Sequence, residues 1–125
     1  MAETREPLTP HALGAMGEVR AEQYLAGLGW QILEHNYKAC EAEIDLIALD
    51  GRCVVFVEVK VRNHSRMAAR ETVTLAKQKR ISKGALQYLR RKGMMDRQAR
   101  FDVIEIQDGH LSHIRDAFPY RGRAF

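Results

Sequence analysis

The chain has 125 residues, of which 46% are hydrophobic and 29% charged. This composition is typical of one globular domain and excludes a disordered or collagen-like chain. No apolar run reaches the roughly 18 residues that a membrane span needs, and the first residues lack the apolar stretch of a secretory signal. Cys40 and Cys53 are too few for a disulfide scaffold or a four-thiolate metal site. We therefore expect a cytoplasmic protein with no membrane partner.

The charges are placed unevenly along the chain. The net charge is only +4, yet residues 60–100 carry 13 basic and 2 acidic side chains, whereas residues 1–59 carry 4 basic and 10 acidic ones. A basic segment repels itself unless something negative lies nearby, and phosphate backbones are the commonest such partner. A solvated helix face is the alternative that charge alone leaves open.

Residue periodicity predicts two helices and five strands. Residues 1–10 hold two prolines and no periodicity, so we expect a flexible N-terminal leader followed by a single domain over residues 11–125. Helices are expected over residues 11–28 and 72–92, the second capped by Thr72 or Thr74. The expected strands are 30–37, 43–49, 53–61, 100–106 and 111–117. This order predicts an α/β sandwich around one mixed sheet.

The first helix combines close packing with an acidic edge. Gly14 and Gly17 fall within its apolar arc, where glycine lets a helix approach a sheet closely. Glu18 lies at the margin of that arc, so its carboxylate is expected at the boundary between core and solvent.

The hairpin between the second and third strands gathers charged residues on one face. Asp50-Gly51 is a strong signal for a two-residue turn. Counting from that turn places Glu43 opposite Glu58, and Asp45 diagonal to Glu58 and opposite Phe56. Lys60 follows on the same face as Glu58.

Such a cluster has two interpretations. Like charges repel unless a cation lies between them, and hard oxygen ligands without His or Cys suit Mg²⁺ or Mn²⁺. Lys60 could then orient or deprotonate a water beside the metal, or stabilise charge on a phosphate. The structural alternative is a surface of weak salt bridges in which Lys60 only neutralises Glu41 or Glu58. Spacing alone does not decide between the two.

The remaining polar signals are of lesser weight. The second helix carries its basic residues away from its apolar arc. They are Lys79, Arg80, Lys83, Arg90 and Arg91, with Lys77 at the margin. His110 and His113 straddle a predicted turn and are expected at the surface, and Asp102 is expected to be structural because it shares a strand face with Ile104.

Several ordered motifs resemble the YraN family of small bacterial proteins. They are Gly14-x-x-Gly17-Glu18-x-x-Ala21-x-x-Tyr24-Leu25, Gly29-Trp30-x-Ile32-Leu33-x-x-Asn36-Tyr37, Glu43-Ile44-Asp45-Leu46-Ile47-Ala48, Phe56-Val57-Glu58-Val59-Lys60-x-Arg62 and Arg100-Phe101-Asp102-Val103. The match runs from about Leu13 to Phe118. That family is described as predicted endonucleases with a restriction-endonuclease-like core, similar to archaeal Holliday-junction resolvases.

The resemblance implies a restriction-endonuclease-like three-layer α/β/α sandwich and a set of site residues. Asp45 and Glu58 would hold Mg²⁺ or Mn²⁺, helped by the carbonyl of Val59. Lys60 would position the attacking water, and Glu18 would be an additional acid that binds a second cation or a bridging water. Contacts with the phosphate backbone would come from Arg62, Lys77, Arg80 and Lys83.

Alternatives remain open within this resemblance. Glu43 belongs to the same motif as Asp45, so either could be the first metal ligand, and Asp45 is preferred by analogy with related nucleases. Ala42 stands where the family usually has glycine, which bears on loop geometry. The expected function is a metal-dependent endonuclease acting on DNA, including branched or structured DNA. The alternative is a nucleic-acid-binding accessory protein with a non-cleaving or vestigial site. Because resolvase-like enzymes cut two strands, a homodimer is compatible with the endonuclease function.

Overall fold

The structure is a computed structural model that describes residues 10–63 and 73–122. Within these residues, two helices and five strands follow in the order predicted from the sequence. The helices are α1 (Pro10–Gly27) and α2 (Leu75–Arg91), and the strands are β1 (Gln31–Ala39), β2 (Ala42–Asp50), β3 (Cys53–Arg62), β4 (Ala99–Gln107) and β5 (His110–Phe118). Thr74 is the N-cap of α2, and its side chain accepts a hydrogen bond from the Lys77 amide.

The five strands form one mixed sheet in sequence order, β1-β2-β3-β4-β5. Neighbouring strands are antiparallel except for β3 and β4, which are parallel and are connected through α2. This is the predicted α/β fold, and it is consistent with a restriction-endonuclease-like sandwich.

Each helix covers one face of the sheet with its own apolar cluster. Side chains of β2 and β3 pack on α1 through Ala21 and Leu25, and others pack on α2 through Ile81, Ala85 and Tyr88. On β3 the two clusters alternate residue by residue: Val55 and Val57 face α1, whereas Val54 and Phe56 face α2. Glu58 continues the α2 side of this alternation, as the sequence predicted.

The hairpin between β2 and β3 differs from the predicted one. Its closing pair is Asp50↔Cys53, so the turn residues are Gly51 and Arg52, and the register is shifted by two residues. Gly51 has a φ of +60°, which is the requirement at the first central position of a type II′ turn. The prediction had put glycine at the second central position.

The shift corrects the predicted cross-strand partners. Neither Glu43 opposite Glu58 nor Asp45 opposite Phe56 occurs, since Phe56 pairs with Ile47. The last pair between the two strands is Leu46↔Val57, so Asp45 and Glu58 are the next residues along each strand. The even shift keeps Ile47 on the face of Phe56, but alternation along β2 is broken before Leu46, because Ile44 packs in the α2 cluster with Ile47 while Leu46 packs in the α1 cluster.

The His113 side chain is only 5% exposed, which contradicts its expected surface position. Its Nε2 lies 2.7 Å from Asp102 Oδ2, and its Nδ1 lies 3.0 Å from the Tyr24 hydroxyl. Asp102 is fully buried and also accepts hydrogen bonds from Arg100 Nε and the Asp116 amide, both at 3.0 Å. A buried carboxylate needs such partners, so Asp102 has the structural role that was predicted and His113 is one of its partners.

Some predictions fall outside the described residues. Residues 1–9 of the predicted leader, most of the predicted loop over 63–71, and Thr72 as an alternative cap belong to this group. In the described part of the chain, neither helix combines the length and apolarity that crossing a membrane requires.

α1 approaches the sheet at a glycine. A Cβ atom added at Gly17 would overlap the Cγ2 methyl of Val61 and lie 3.6 Å from Ile106 Cδ1, whereas one added at Gly14 would meet nothing within 4 Å. Of the two glycines in the predicted apolar arc, only Gly17 is therefore required for close packing. The position of Glu18, the next residue, depends on this contact.

We predict that Gly17→Ala destabilises the protein while Gly14→Ala does not. Overpacking against Val61 should cost about 1–3 kcal/mol, which the better helix propensity of alanine offsets by about 1 kcal/mol. Gly14→Ala should gain up to about 1 kcal/mol, because only the propensity changes. Urea unfolding of both variants measures the difference, and equal stabilities would show that α1 does not need the close approach.

Candidate active site

The sheet forks at the point where Asp45 and Glu58 lie. β2 and β3 stop pairing after Leu46↔Val57, but β2 remains paired with β1 as far as Ala42, and β3 remains paired with β4 as far as Arg62. The Asp45 carboxylate accepts a hydrogen bond from the Val59 amide, with Oδ2 2.8 Å from the nitrogen. A side chain thus binds a strand amide that the neighbouring strand no longer reaches.

Two lysines from different elements meet on one oxygen of Glu58. Lys60 Nζ, from the same strand, is 3.3 Å from Glu58 Oε1, and Lys77 Nζ, from the first turns of α2, donates to the same oxygen. Glu58 is only 5% exposed. A carboxylate so buried requires positive charge or hydrogen-bond donors beside it, and the two ammonium groups supply both.

On the side of β2 away from β3, an asparagine joins two further carboxylates. With its amide nitrogen turned toward them, Asn36 donates to Glu18 Oε2 at 3.2 Å and to Glu43 Oε1 at 3.0 Å. Asn36 has a φ of +49° within β1, a conformation that asparagine tolerates better than most residues. Glu18 therefore reaches the edge of the cluster from α1, and its charge contributes to raising the Asp45 pKa.

The titration of these groups reflects their crowding. Burial, followed by repulsion from Glu58, raises the pKa of Asp45 to about 8, although the Val59 amide opposes this. Burial lowers the pKa of Lys60, and the neighbouring Lys77 adds to that effect. Burial also acts to lower the pKa of Lys77, but its contact with Glu58 outweighs burial and raises it. The metal-free cluster at neutral pH thus contains a largely protonated Asp45 beside a Glu58 held by two cations.

The donor set suits a hard cation without forming a complete cage. In the residues that the structure describes, no group of three or more His, Cys, Asp and Glu side chains is arranged to hold a metal ion. Mg²⁺ in proteins is commonly held by one or two carboxylates and completes its shell with water. Asp45 and Glu58 border a cavity of about 180 Å³. Its lining residues are Glu41, Ala42, Glu43, Asp45, Glu58, Lys77, Arg80 and Ile81.

The structure brings together most of the residues selected from the sequence. Asp45, Glu58 and Lys60 form the centre, and Glu18 lies at the edge through Asn36. Glu43 is exposed on the Asn36 side, so the geometry places Asp45 rather than Glu43 beside Glu58.

Of the four residues predicted to contact phosphate, two are exposed and two contact acids instead. Arg80 and Lys83 are exposed on α2. Arg62 is held by Glu105, with Nε 3.0 Å from Oε1, and its side chain is only 11% exposed. Lys77 turns toward Glu58 instead of following the exposed basic face.

Sequence reasoning missed Asn36 as a site residue and assigned Lys77 to a different partner. The signal for Asn36 was an asparagine inside a predicted strand, since asparagine is enriched at positive φ. The signal for Lys77 was its place at the margin between the apolar and basic arcs of α2, because that position points a long side chain toward the sheet edge.

Comparison with known proteins identifies relatives over most of the chain. Residues 17–106 match the family described as "Uncharacterised protein family UPF0102". A UPF0102 protein of Geotalea daltonii is 48% identical over 112 residues, which cover 85% of this chain and 88% of the relative. Those of Geobacter sulfurreducens and Rhodococcus jostii are 43% and 42% identical; the first alignment covers 85% of this chain and 88% of the relative, the second 86% and 96%. The matched region contains α1 from Gly17, both carboxylates of the fork and the basic helix.

We predict that Asp45→Asn stabilises the metal-free protein at alkaline pH. The folded state retains the Asp45 proton up to about pH 8, whereas the unfolded chain releases it near 3.8, so wild-type stability falls as pH rises through this interval. Asparagine at this position does not titrate, so it removes this pH dependence of stability, and its side-chain oxygen can still accept the hydrogen bond from the Val59 amide. At pH 8 the variant should be more stable by an amount on the order of a few kcal/mol.

Urea unfolding in chelator at pH 5 and pH 8 measures this effect, and Glu43→Gln serves as the control, because its carboxylate is exposed. A lower stability of Asp45→Asn at both pH values would support the salt-bridge interpretation of the cluster.

Proposed function

We propose that this chain, which belongs to the uncharacterised protein family UPF0102, is a metal-dependent endonuclease that hydrolyses phosphodiester bonds in DNA. The observation that carries the proposal is the meeting of Asp45, Glu58 and Lys60 at the fork between β2 and β3. Two acids that can hold a divalent cation, beside a lysine that can position a water, are suited to metal-assisted phosphodiester hydrolysis. The YraN resemblance assigns these same three residues to that chemistry.

Asp45 and Glu58 are the residues that would hold Mg²⁺ or Mn²⁺. The YraN resemblance implies the Val59 carbonyl as a third ligand. A cation bound there would polarise a phosphoryl oxygen and acidify a coordinated water. Lys77 supports the assignment of a cation to these residues, because its ammonium group lies beside Glu58, where positive charge is favourable. The assignment is also supported by the raised pKa of Asp45, because burial and repulsion from Glu58 disfavour its charged form and a cation would favour it.

The protein's own groups would divide the remaining work. Lys60 would orient the attacking water, and its lowered pKa makes release of a proton easier than for an exposed lysine. Glu18, fixed through Asn36, would hold a bridging water at the edge of the site. Attack on phosphorus with departure of the 3′ oxygen would leave the phosphate on the 5′ side, as the resemblance implies.

Two further properties belong to this proposal. The exposed Arg80 and Lys83 on α2 would contact the phosphate backbone and supply its affinity. We place the reaction in the cytoplasm, and the unpaired thiols of Cys40 and Cys53 support a reducing compartment.

A second candidate function is a nucleic-acid-binding accessory protein that does not cleave. The observation that favours it is the pair of lysines on Glu58, because Lys60 and Lys77 already neutralise the acid that a metal would need. The two functions differ in whether a divalent cation binds at all.

We predict that Mn²⁺ binds the wild-type protein and that Glu58→Gln weakens this binding at least about tenfold, which corresponds to ~1.4 kcal/mol. Isothermal titration calorimetry measures the binding, and nicking of supercoiled and four-way-junction DNA measures cleavage. Glu41→Gln is the matched control, since Glu41 borders the same cavity and is exposed. Absence of Mn²⁺ binding in the wild type would reject the nuclease and favour the accessory protein.

We also predict that Lys77→Met increases the affinity for Mn²⁺ while destabilising the metal-free protein. Removing one partner of a buried charge is costly, and a cation no longer has to displace the ammonium group from Glu58. The rise in melting temperature caused by Mn²⁺ should therefore be larger in the variant than in the wild type. Lys79→Met, on the exposed side of α2, is the control. An unchanged rise would show that lysine and metal do not compete.

A further inference from the structure

A second basic surface lies on the opposite flank of α2 from the Lys77 contact. We call it the tail groove, because one wall is α2 and the other is the segment after β5. Its volume is about 880 Å³, and the cations along it are Lys79, Lys83, Arg90 and Arg121. Among the described residues that line it, none is an acid. Four cations without a carboxylate among them favour an anionic occupant.

The walls of the tail groove also expose apolar and aromatic surface. Leu75 is 52% and Tyr120 is 41% exposed, and Leu86 also lines the groove. Simple ions need no aromatic partner, whereas nucleic acids combine phosphates with flat rings that stack on tyrosine. The combination of cations with an exposed tyrosine therefore favours a nucleic acid over a simple ion.

The segment that carries Tyr120 is attached to α2 by hydrogen bonds. The Arg121 amide donates to Ser82 Oγ at 2.8 Å, and Arg121 Nε donates to Gln78 Oε1 at 3.0 Å. Ser82 is fully buried, so this attachment is part of the packed structure. Tyr120 is thus held next to the cations of the helix by its neighbour in the chain.

The tail groove is connected to the candidate active site through α2. Arg80 borders the cavity of Asp45 and Glu58, and Lys83 borders the tail groove. Residues three apart on a helix are neighbours on its surface. A negatively charged strand can therefore pass from one site to the other without leaving basic surface.

We propose that the tail groove binds a single-stranded segment of nucleic acid, with phosphates on Lys79, Lys83 and Arg121 and an unpaired base stacked on Tyr120. A duplex cannot use Tyr120 in this way, because its bases are already stacked on one another. This inference rests on the proposed nuclease function and names its substrate class, which is DNA with an unpaired strand adjoining a duplex.

The test is the binding of fluorescent oligonucleotides in chelator, so that cleavage does not interfere. Fluorescence anisotropy compares a single strand, a blunt duplex and a duplex with a single-stranded flap. The variants are Tyr120→Leu, which removes the ring, and Tyr120→Phe, which keeps it. Arg52→Gln/Arg97→Gln is the charge control, since both residues are exposed near a different surface.

Tyr120→Leu should weaken binding of the single strand and the flap about 5- to 100-fold, which is the range for one stacked base. Duplex binding should change less than about twofold, and Tyr120→Phe should bind like the wild type. Lys79→Gln/Lys83→Gln should reduce the salt dependence of single-strand binding by about 0.7 for each lost phosphate contact. The charge control should leave that dependence unchanged.

Three results would overturn the proposal. One is a Tyr120→Leu variant that binds single strands as the wild type does, and another is an equal loss for single strand and duplex. The third is displacement of the oligonucleotide by polyglutamate at equal charge concentration, which would indicate an acidic protein partner. Cleavage with Mn²⁺ is assayed separately, so groove-dependent binding without cleavage would reject only the nuclease.

Discussion

The candidate site depends on the fork in the sheet after Leu46↔Val57. Because β2 and β3 each retain their other neighbour, the fork is a stable feature of the sheet and not a frayed end. It leaves the Val59 amide to Asp45, which fixes the carboxylate against β3. It also lets side chains from both helical layers approach the same place, Glu18 from α1 and Lys77 from α2. A continuous ladder between β2 and β3 would keep those layers apart.

Electrostatic balance within the fork explains how its two acids can coexist in the metal-free form. Glu58 is nearly buried and is compensated by two lysines, while Asp45 avoids a second buried negative charge by keeping its proton. A cation with two charges could replace the lysine contact and the proton together. The same arrangement thus serves as a self-neutralised cluster or as a metal site, and cation affinity decides between them. The two candidate functions are therefore compatible with the same metal-free contacts and differ in whether a divalent cation binds.

Much of the fold could be predicted because its signals are local. Alternation along 53–61 and the apolar arcs of both helices depend on neighbouring residues, and all seven elements were found. The hairpin register was wrong because Asp50-Gly51 is compatible with glycine at either central position, and only its φ of +60° at the first one distinguishes them. His113 was misplaced, and the contact of Lys77 with Glu58 was not foreseen, for another reason: each is positioned by a buried acid from a distant strand. Asn36 was missed because its role depends on Glu18 and Glu43, which other elements bring to it.

α2 takes part in both the candidate active site and the tail groove. Its inner margin supplies the ammonium group that compensates Glu58, and its outer flank supplies the cations of the tail groove. The helix is fixed at both sides: Gly84 allows it to approach the backbone of Ala39, and Ser82 binds the segment after β5. A cation at Glu58 would free Lys77 for a phosphate, and a phosphate on Lys77 would in turn leave Glu58 to the cation. Metal and nucleic acid should therefore each favour the binding of the other, because a single helix carries the charges that both must use.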